Sequence, residues 1–391
     1  MIRFLWHWLT SGAVREAANL GSQASRLLEA ERDIMPPEKA AAFQSSISAL
    51  KLAVGQGADK EALRKLMQEV EVTAAASLSP HTRGAVRENV EMFLATITVI
   101  FAVFTFFVQH FAIPTGSMQP TLYGITWQNH TGEAKYEIPS PGRRIFERWF
   151  HGSSYYHLTA GRDGMLEQVE PRRSVFPGIY KQRFMVGGEW QTLWFAPDEL
   201  LRHADIEAGR MYKQGEDIIR IKCTAGDHLF VDRFTYNFRP PRRGEIVVFD
   251  TTGNTNLTQN TFYIKRLIGL GGDAVRIGDD RHLVINGTRL DASTPRFENL
   301  YSFTGPPQPS VYSGHVNERT VRRSGIPMDI KFFPDGNSQF NVAARHFLVM
   351  GDNTMNSSDS RMWGDFPQEK VIGRAFFVFW PFSSRVGWQA W

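Results

Sequence analysis

The run Pro114-Thr115-Gly116-Ser117-Met118-Gln119-Pro120-Thr121-Leu122 places a serine in a tight, glycine-containing segment directly after the only long apolar stretch of the chain. A serine hydroxyl is a weak nucleophile until a neighbouring base takes its proton. Histidine is the usual base, yet none of the eleven histidines sits in a run resembling a triad histidine or an HExxH helix. The GxSxG elbow is absent as well, because Gly116 immediately precedes Ser117. A lysine can serve instead when apolar surroundings or a cationic neighbour leave its amine neutral. Lys265 meets the first condition within Phe262-Tyr263-Ile264-Lys265-Arg266-Leu267-Ile268. Strand alternation puts it on one face with Tyr263 and Leu267, opposite Ile264, Arg266 and Ile268. Taken alone, the same run also describes an edge-strand lysine facing water. A third segment, Gly351-Asp352-Asn353-Thr354-Met355-Asn356-Ser357-Ser358-Asp359-Ser360-Arg361-Met362-Trp363-Gly364, has the hydroxyls, amides and charges of a loop that hydrogen-bonds to itself.

These residues must be positioned by elements of two kinds. Met92 to Val108 is uncharged, and extended to Ile113 it is long enough to cross a bilayer core of roughly 30 Å at about 1.5 Å per residue. Arg83 and Arg87 precede it, whereas no Lys or Arg occurs from Gln109 to Glu133. The positive-inside rule then puts residues 1–88 in the cytoplasm, a transmembrane helix at 89–113 and a domain of residues 114–391 outside. Residues 13 to about 78 read as helices, with helical spacing clearest at Glu38–Val54 and Asp59–Leu78, and predict a small helical hairpin before the span. Met1 to Thr10 is apolar but too short to span, and fits an aromatic-rich surface segment or helix packing.

Beyond the span the pattern turns to β. His228–Tyr236, Glu245–Asp250, Phe262–Ile268, Ala274–Ile277, His282–Ile285, His346–Met350 and Ala375–Trp380 read as short strands, and Asn286-Gly287 as a hairpin turn. The fold class is therefore mainly β, a multi-sheet or barrel-like domain. Residues 125–220 fit no single element type, and the Pro-, Gly-, Ser- and Arg-rich stretch 304–337 reads as a surface excursion.

Composition sets bounds. With 391 residues, 42% of them hydrophobic, the chain can build a substantial core. The net charge of +4 without a dense basic stripe argues against nucleic acid as a partner. A single cysteine, Cys223, excludes an intramolecular disulfide and any multi-cysteine zinc site.

Taken in order, PTGSMQPTL, RRGEIVVF (Arg242–Phe249), YIKRLIGLGGD (Tyr263–Asp273), GDNTMNSSDSRMWG and GRAFFVFWP (Gly373–Pro381) resemble the type I signal peptidases of bacteria, membrane-anchored Ser/Lys endopeptidases with a LexA-like multi-sheet β catalytic domain. The resemblance covers residues 92–123 and 226–381. It implies Ser117 as nucleophile and Lys265 as general base. The Ser117 N–H and Thr115 hydroxyl would be oxyanion donors, and Ser357 would orient the lysine. Met118, Arg266, Asp352, Asp359 and Arg361 would be structural residues near the site. It further implies no cofactor and no metal. The substrates would be secretory preproteins cut after A-x-A-like sites, the setting a bacterial inner membrane with lipid as a partner, and contact with the secretion machinery is left open. Ser117 and Lys265 stand 148 positions apart, so residues 125–220 are expected to form an inserted lobe or cap. Thr354 stands where an arginine is common, which predicts a missing ion pair. Gly271 replaces a proline, which predicts a looser turn, and Thr115 replaces a serine while keeping its hydroxyl. Trp363, Phe376, Phe377, Trp380, Phe382, Trp388 and Trp391 are expected in small-residue pockets, in the core or at a lipid interface. A LexA-like protease acting on itself or a regulator would share this chemistry but lack the span. A membrane-anchored binding domain that had lost catalysis would not retain both Ser117 and Lys265.

Overall fold

The computed structural model describes residues 12–33, 35–77, 84–302, 312, 314–325 and 328–388, so the readings of Met1–Thr10, Leu78, Arg83, 304–311 and Trp391 lie outside the described residues. The chain divides into two compact units, residues 1–97 and 98–391.

In the first unit the expected hairpin is a three-helix assembly: α1 (Gly12–Glu31), α2 (Pro37–Gln56) and α3 (Lys60–Ser77). α1 adds Val14, Ala17, Ala24 and Leu28 to a core with Phe43, Ile47, Leu50, Leu63 and Val70. The helix falls within the residues read as helical; what the hairpin expectation lacked was its packing as a third member. α2 starts on a proline, where no N–H is needed, and ends at Gly57 with φ 72°.

A fourth helix, α4 (Gly84–Phe106), carries the apolar run, and none of Glu88–Phe106 is buried. It is shorter than the expected span to 113. Val108–Ala112 is instead strand β1, antiparallel to β2 (His228–Asp232) with Val108 opposite Asp232. The polar Gln109 and His110 break the helix's apolar surface, and the edge of β2 offers the backbone another set of partners.

β1 is one end of an antiparallel sheet that continues through β3 (Ile246–Asp250), β4 (Phe262–Leu270), β5 (His346–Met350), β6 (Phe366–Pro367), β7 (Val371–Trp380) and β8 (Gly387–Trp388). The spatial order is β1-β2-β7-β3-β4-β5-β6, with β8 on β7. β4 is thus interior, and the edge-strand alternative for Lys265 falls. Leu229, Val231, Ile246, Val248 and Val378 pack with Ile113, Met118 and Leu122 on one face. Val247, Phe249, Leu267, Val349 and Trp363 pack on the other.

Ala274–Ile277, Leu283–Ile285, Thr288–Arg289 and Gln339–Asn341 form a four-stranded sheet. Asn286 (φ 51°) and Gly287 (φ 84°) make the expected hairpin turn within it. The stretch 304–337 is not merely a surface excursion. His315 and Asn317 are fully buried, and Val316, Val321, Ile330 and Phe333 join the core. Asn317 explains the inward course: its amide donates to the Ile277 carbonyl and its oxygen caps the helix Glu318–Ser324 through the Thr320 N–H.

The block 125–220 is a lobe with its own sheets. Thr126–Asn129, Asp217–Thr224 and Ser153–Thr159 form one, and five strands between Gly164 and Tyr212 the other. Leu166, Phe184, Val186, Leu193, Ile218 and Ile221 supply its core. Its strands are too short and too interrupted by turns to be legible singly. Cys223 sits half-buried in this lobe, where burial pushes its thiol up to about 11.

Candidate active site

Ser117 lies in a one-turn 3₁₀ segment, Gly116–Met118, held by the fully buried Met118 side chain beneath it. Lys265 reaches it from the middle of β4, and the Nζ–Oγ distance is 2.8 Å. The amine also donates to the Ile264 carbonyl at 3.0 Å. Both residues are buried, at 6% and 5% exposure. They border a cleft of about 570 Å³ with Thr115, Tyr263, Met328 and Met362 on its walls. Burial in these apolar surroundings lowers the Lys265 amine from 10.5 to about 8; the Asp359 and Asp352 carboxylates oppose that fall and Arg361 adds to it. At mildly alkaline pH the amine is therefore neutral and in contact with a hydroxyl it can deprotonate. The Thr115 hydroxyl stands 3.5 Å from the Ser117 oxygen, on the same side of the cleft.

The loop 351–364 supplies the frame. Arg266, on the face of β4 opposite Lys265, gives Asp352 two hydrogen bonds at 2.8 and 2.6 Å, and Thr121 donates to the same carboxylate. Arg266 also donates to the Gly244 and Arg296 carbonyls, so its charge is distributed although only 2% of it is exposed. Asp359 and Arg361 form a second pair, bonded at 2.8 Å through both Nε and Nη2, with side chains fully buried. Burial pushes the Asp359 carboxyl up, but Arg361 and the Gly351 N–H outweigh it and hold the group below its usual range. Gly351 is where the loop meets Ser117: a Cβ there would come within 2.5 Å of the Ser117 carbonyl oxygen and 2.2 Å of Ser357 Oγ.

Ser357 borders the cleft with Lys265, whose amine bonds Ser117 and Ile264. Thr354 takes up hydrogen bonds where an ion pair would stand: its hydroxyl accepts from the Val316 N–H at 2.9 Å and from Arg361 at 2.8 Å. Gly271 is not a loose turn. A Cβ there would meet the Arg345 nitrogen at 2.9 Å, so its smallness permits a close backbone approach. Among the aromatics, Trp363 is core, while Phe382 and Trp388 are exposed.

Two residues escaped the sequence reading. Asn353 donates its side-chain amide to the Gly116 carbonyl, and its backbone N–H to that of Ser117, both at 3.0 Å, tying the loop to the segment that carries Ser117. Thr121 joins the Asp352 pair. Their positions, adjacent to Asp352 and within the serine run, were the available signals.

Comparison with known proteins follows the same geometry. The family model described as signal peptidase, peptidase S26, matches residues 220–380. That range contains Lys265 and the loop 351–364. Signal peptidase I of Leptolyngbya laminosa is 36% identical over 164 residues, which are 41% of this chain and 63% of that one. Signal peptidase I of Pseudomonas fluorescens is 32% identical over 40% of this chain and 60% of its own. The chain thus spans about three fifths of the length of these relatives. Signal peptidase I of Aquifex aeolicus is 30% identical, and here the match takes in 69% of the relative and 40% of this chain. With Lys265 and its supporting loop inside the matched region, and that relative aligned over more than two thirds of its length, the chain belongs to the signal peptidase family, peptidase S26.

Proposed function

We propose that this protein is a membrane-anchored serine endopeptidase that removes signal peptides from secreted preproteins after small residues, using Ser117 and Lys265. The contact between a buried amine and the serine hydroxyl at 2.8 Å carries the reading. Neutral Lys265 takes the Ser117 proton as Oγ attacks the scissile carbonyl. The tetrahedral oxyanion is held by the Ser117 N–H and the Thr115 hydroxyl. Lysine then returns its proton to the leaving amine, and an acyl-enzyme remains. In the second half the neutral amine activates a water that attacks the ester and regenerates the serine. Asp352, Arg266, Asp359 and Arg361 hold the loops and do no chemistry, and Ser357 borders the space beside the amine.

The unburied apolar face of α4 supports a single membrane crossing with residues 1–88 cytoplasmic and the β domain outside. Because α4 ends at Phe106, Ser117 stands a β-strand beyond the membrane exit, where an A-x-A site emerging from the bilayer would present itself in extended form.

The pH dependence tests the mechanism. The base must be neutral and its amine titrates near 8. Cleavage of a model preprotein by the detergent-solubilised chain should therefore rise about tenfold per pH unit below that value and level off above it. A flat profile from about pH 6 to 9 with the protein folded throughout would remove lysine as the base. Thr115→Val, which keeps the shape and removes the donor, should lower kcat by about 10²–10³-fold with little change in KM, while Thr115→Ser retains most activity. Equal kcat in the valine variant and the parent would strike Thr115 from the oxyanion site.

A further inference from the structure

The helix Pro141–His151, in the inserted lobe, wears its apolar side outward. Ile145, Phe146, Trp149 and Phe150 fall on one stripe at helical spacing and are 63%, 52%, 73% and 43% exposed, and no residue of the helix is buried. Glu147 faces the lobe, accepting from the Tyr155 hydroxyl and pairing with the exposed Arg143 at 2.9 Å. A water-facing helix has the opposite arrangement, since its apolar stripe packs on the core. Arg144 and Arg148 border the stripe, and three arginines against one glutamate leave the helix basic.

The stripe is not isolated. Phe150 stacks on the exposed Phe382. Trp380 donates its indole N–H to the Trp149 carbonyl at 2.7 Å and meets His228 edge-on. His228 and Phe230 both pack on Phe379, and Phe230 meets Phe104 in the last turns of the apolar helix at 5.9 Å. One aromatic surface therefore runs from the end of α4 to the inserted helix.

We propose that Pro141–His151 lies in the headgroup region of an anionic bilayer, its Ile, Phe and Trp side chains inserted and Arg144 and Arg148 paired with lipid phosphates. The occupant follows from chemistry and continuity. Tryptophan and phenylalanine beside arginine suit the interface, where one end of a side chain is apolar and the other wet. The surface also joins a helix in which none of Glu88–Phe106 is buried. This inference rests on the membrane-anchored reading above and adds to it a second contact, built by the insertion, that fixes the lobe against the lipid.

The test uses the full chain with Cys223→Ser, reconstituted into vesicles containing about one third phosphatidylglycerol. A single cysteine is introduced as Trp149→Cys, or as Ala292→Cys in an exposed turn near the four-stranded sheet, and labelled with a polarity-sensitive fluorophore. The label at 149 is expected to shift to the blue, to be quenched by headgroup-level nitroxide lipid and to be shielded from iodide, while that at 292 is not. Arg144→Gln with Arg148→Gln should weaken insertion by roughly 20-fold and abolish its dependence on phosphatidylglycerol. A chain that floats with the vesicles but leaves label 149 as open to iodide as label 292 overturns the proposal and spares the span. A chain that does not float overturns both. Shielding that follows protein concentration instead of lipid charge assigns the stripe to a second copy and overturns it as well.

Discussion

Ser117→Ala and Lys265→Met are each expected to reduce preprotein cleavage by about 10⁴-fold or more, and the double variant to be no worse than either single one. The two groups act as one unit: without the hydroxyl there is no nucleophile, and without the amine nothing takes its proton. Lys265→Met is the more informative change because it keeps the volume of a buried side chain while removing the base. Lys265→Arg should be equally inactive, since a guanidinium stays charged at any pH where the protein is folded. Binding should survive in the alanine variant, because the cleft walls of Tyr263, Met328 and Met362 are untouched. Measuring single-turnover cleavage alongside precursor binding separates the two effects. Appreciable turnover in either variant would falsify the dyad.

Asp359→Ala should lower the unfolding free energy of the β domain by about 3–5 kcal/mol, a large share of the 5–15 kcal/mol typical of a domain. The cost comes less from the lost attraction than from what stays behind, an Arg361 guanidinium with no exposed surface. Its remaining bonds to Thr354 and to backbone carbonyls cannot neutralise it. Adding Arg361→Met to Asp359→Ala should therefore restore part of the stability, so the double variant is less damaged than the single one. The pH dependence has a definite sign. Because the folded-state carboxyl is held below its ordinary value, its contribution is complete above about pH 4 and is lost as pH falls through the lower folded value. Denaturant midpoints across that range check both statements. A single variant as stable as the parent would show that the pair is not what holds the loop.

The pairing also bears on the chemistry. Asp359 and Asp352 pull the Lys265 amine upward and Arg361 pushes it down, so the value near 8 is a balance tipped by burial. Asp359→Ala should thus disturb the alkaline limb of activity as well as the fold.

Much of this site was legible in the chain. The serine run, the apolar strand bearing a lysine and the self-bonding loop each announce a chemical type, and their order suffices to suggest the family. The strands at Ala274–Ile277 and His346–Met350 fall on the residues expected, because alternation and β-branching act over a few neighbours. Local pattern also carried the turn at Asn286-Gly287.

What depends on distant partners was not legible. Val108–Ala112 directly follows the apolar run of α4, and its pairing with the edge of β2 decides that it is a strand. That α1 packs with α2 and α3 as a third member, and not outside a two-helix hairpin, is decided by the contacts among them. Gly271 reads as a looser turn until the segments pressed against it are known.

By itself the sequence determined which groups are present to react: a hydroxyl at 117, an amine at 265, and carboxylates and guanidiniums on one loop. The tertiary structure decided that they meet, since sheet order alone carries Lys265 across 148 positions to Ser117. It also decided that the amine titrates near 8 rather than 10.5, because ionisation depends on how much water the fold removes from around the group, and no residue type encodes that.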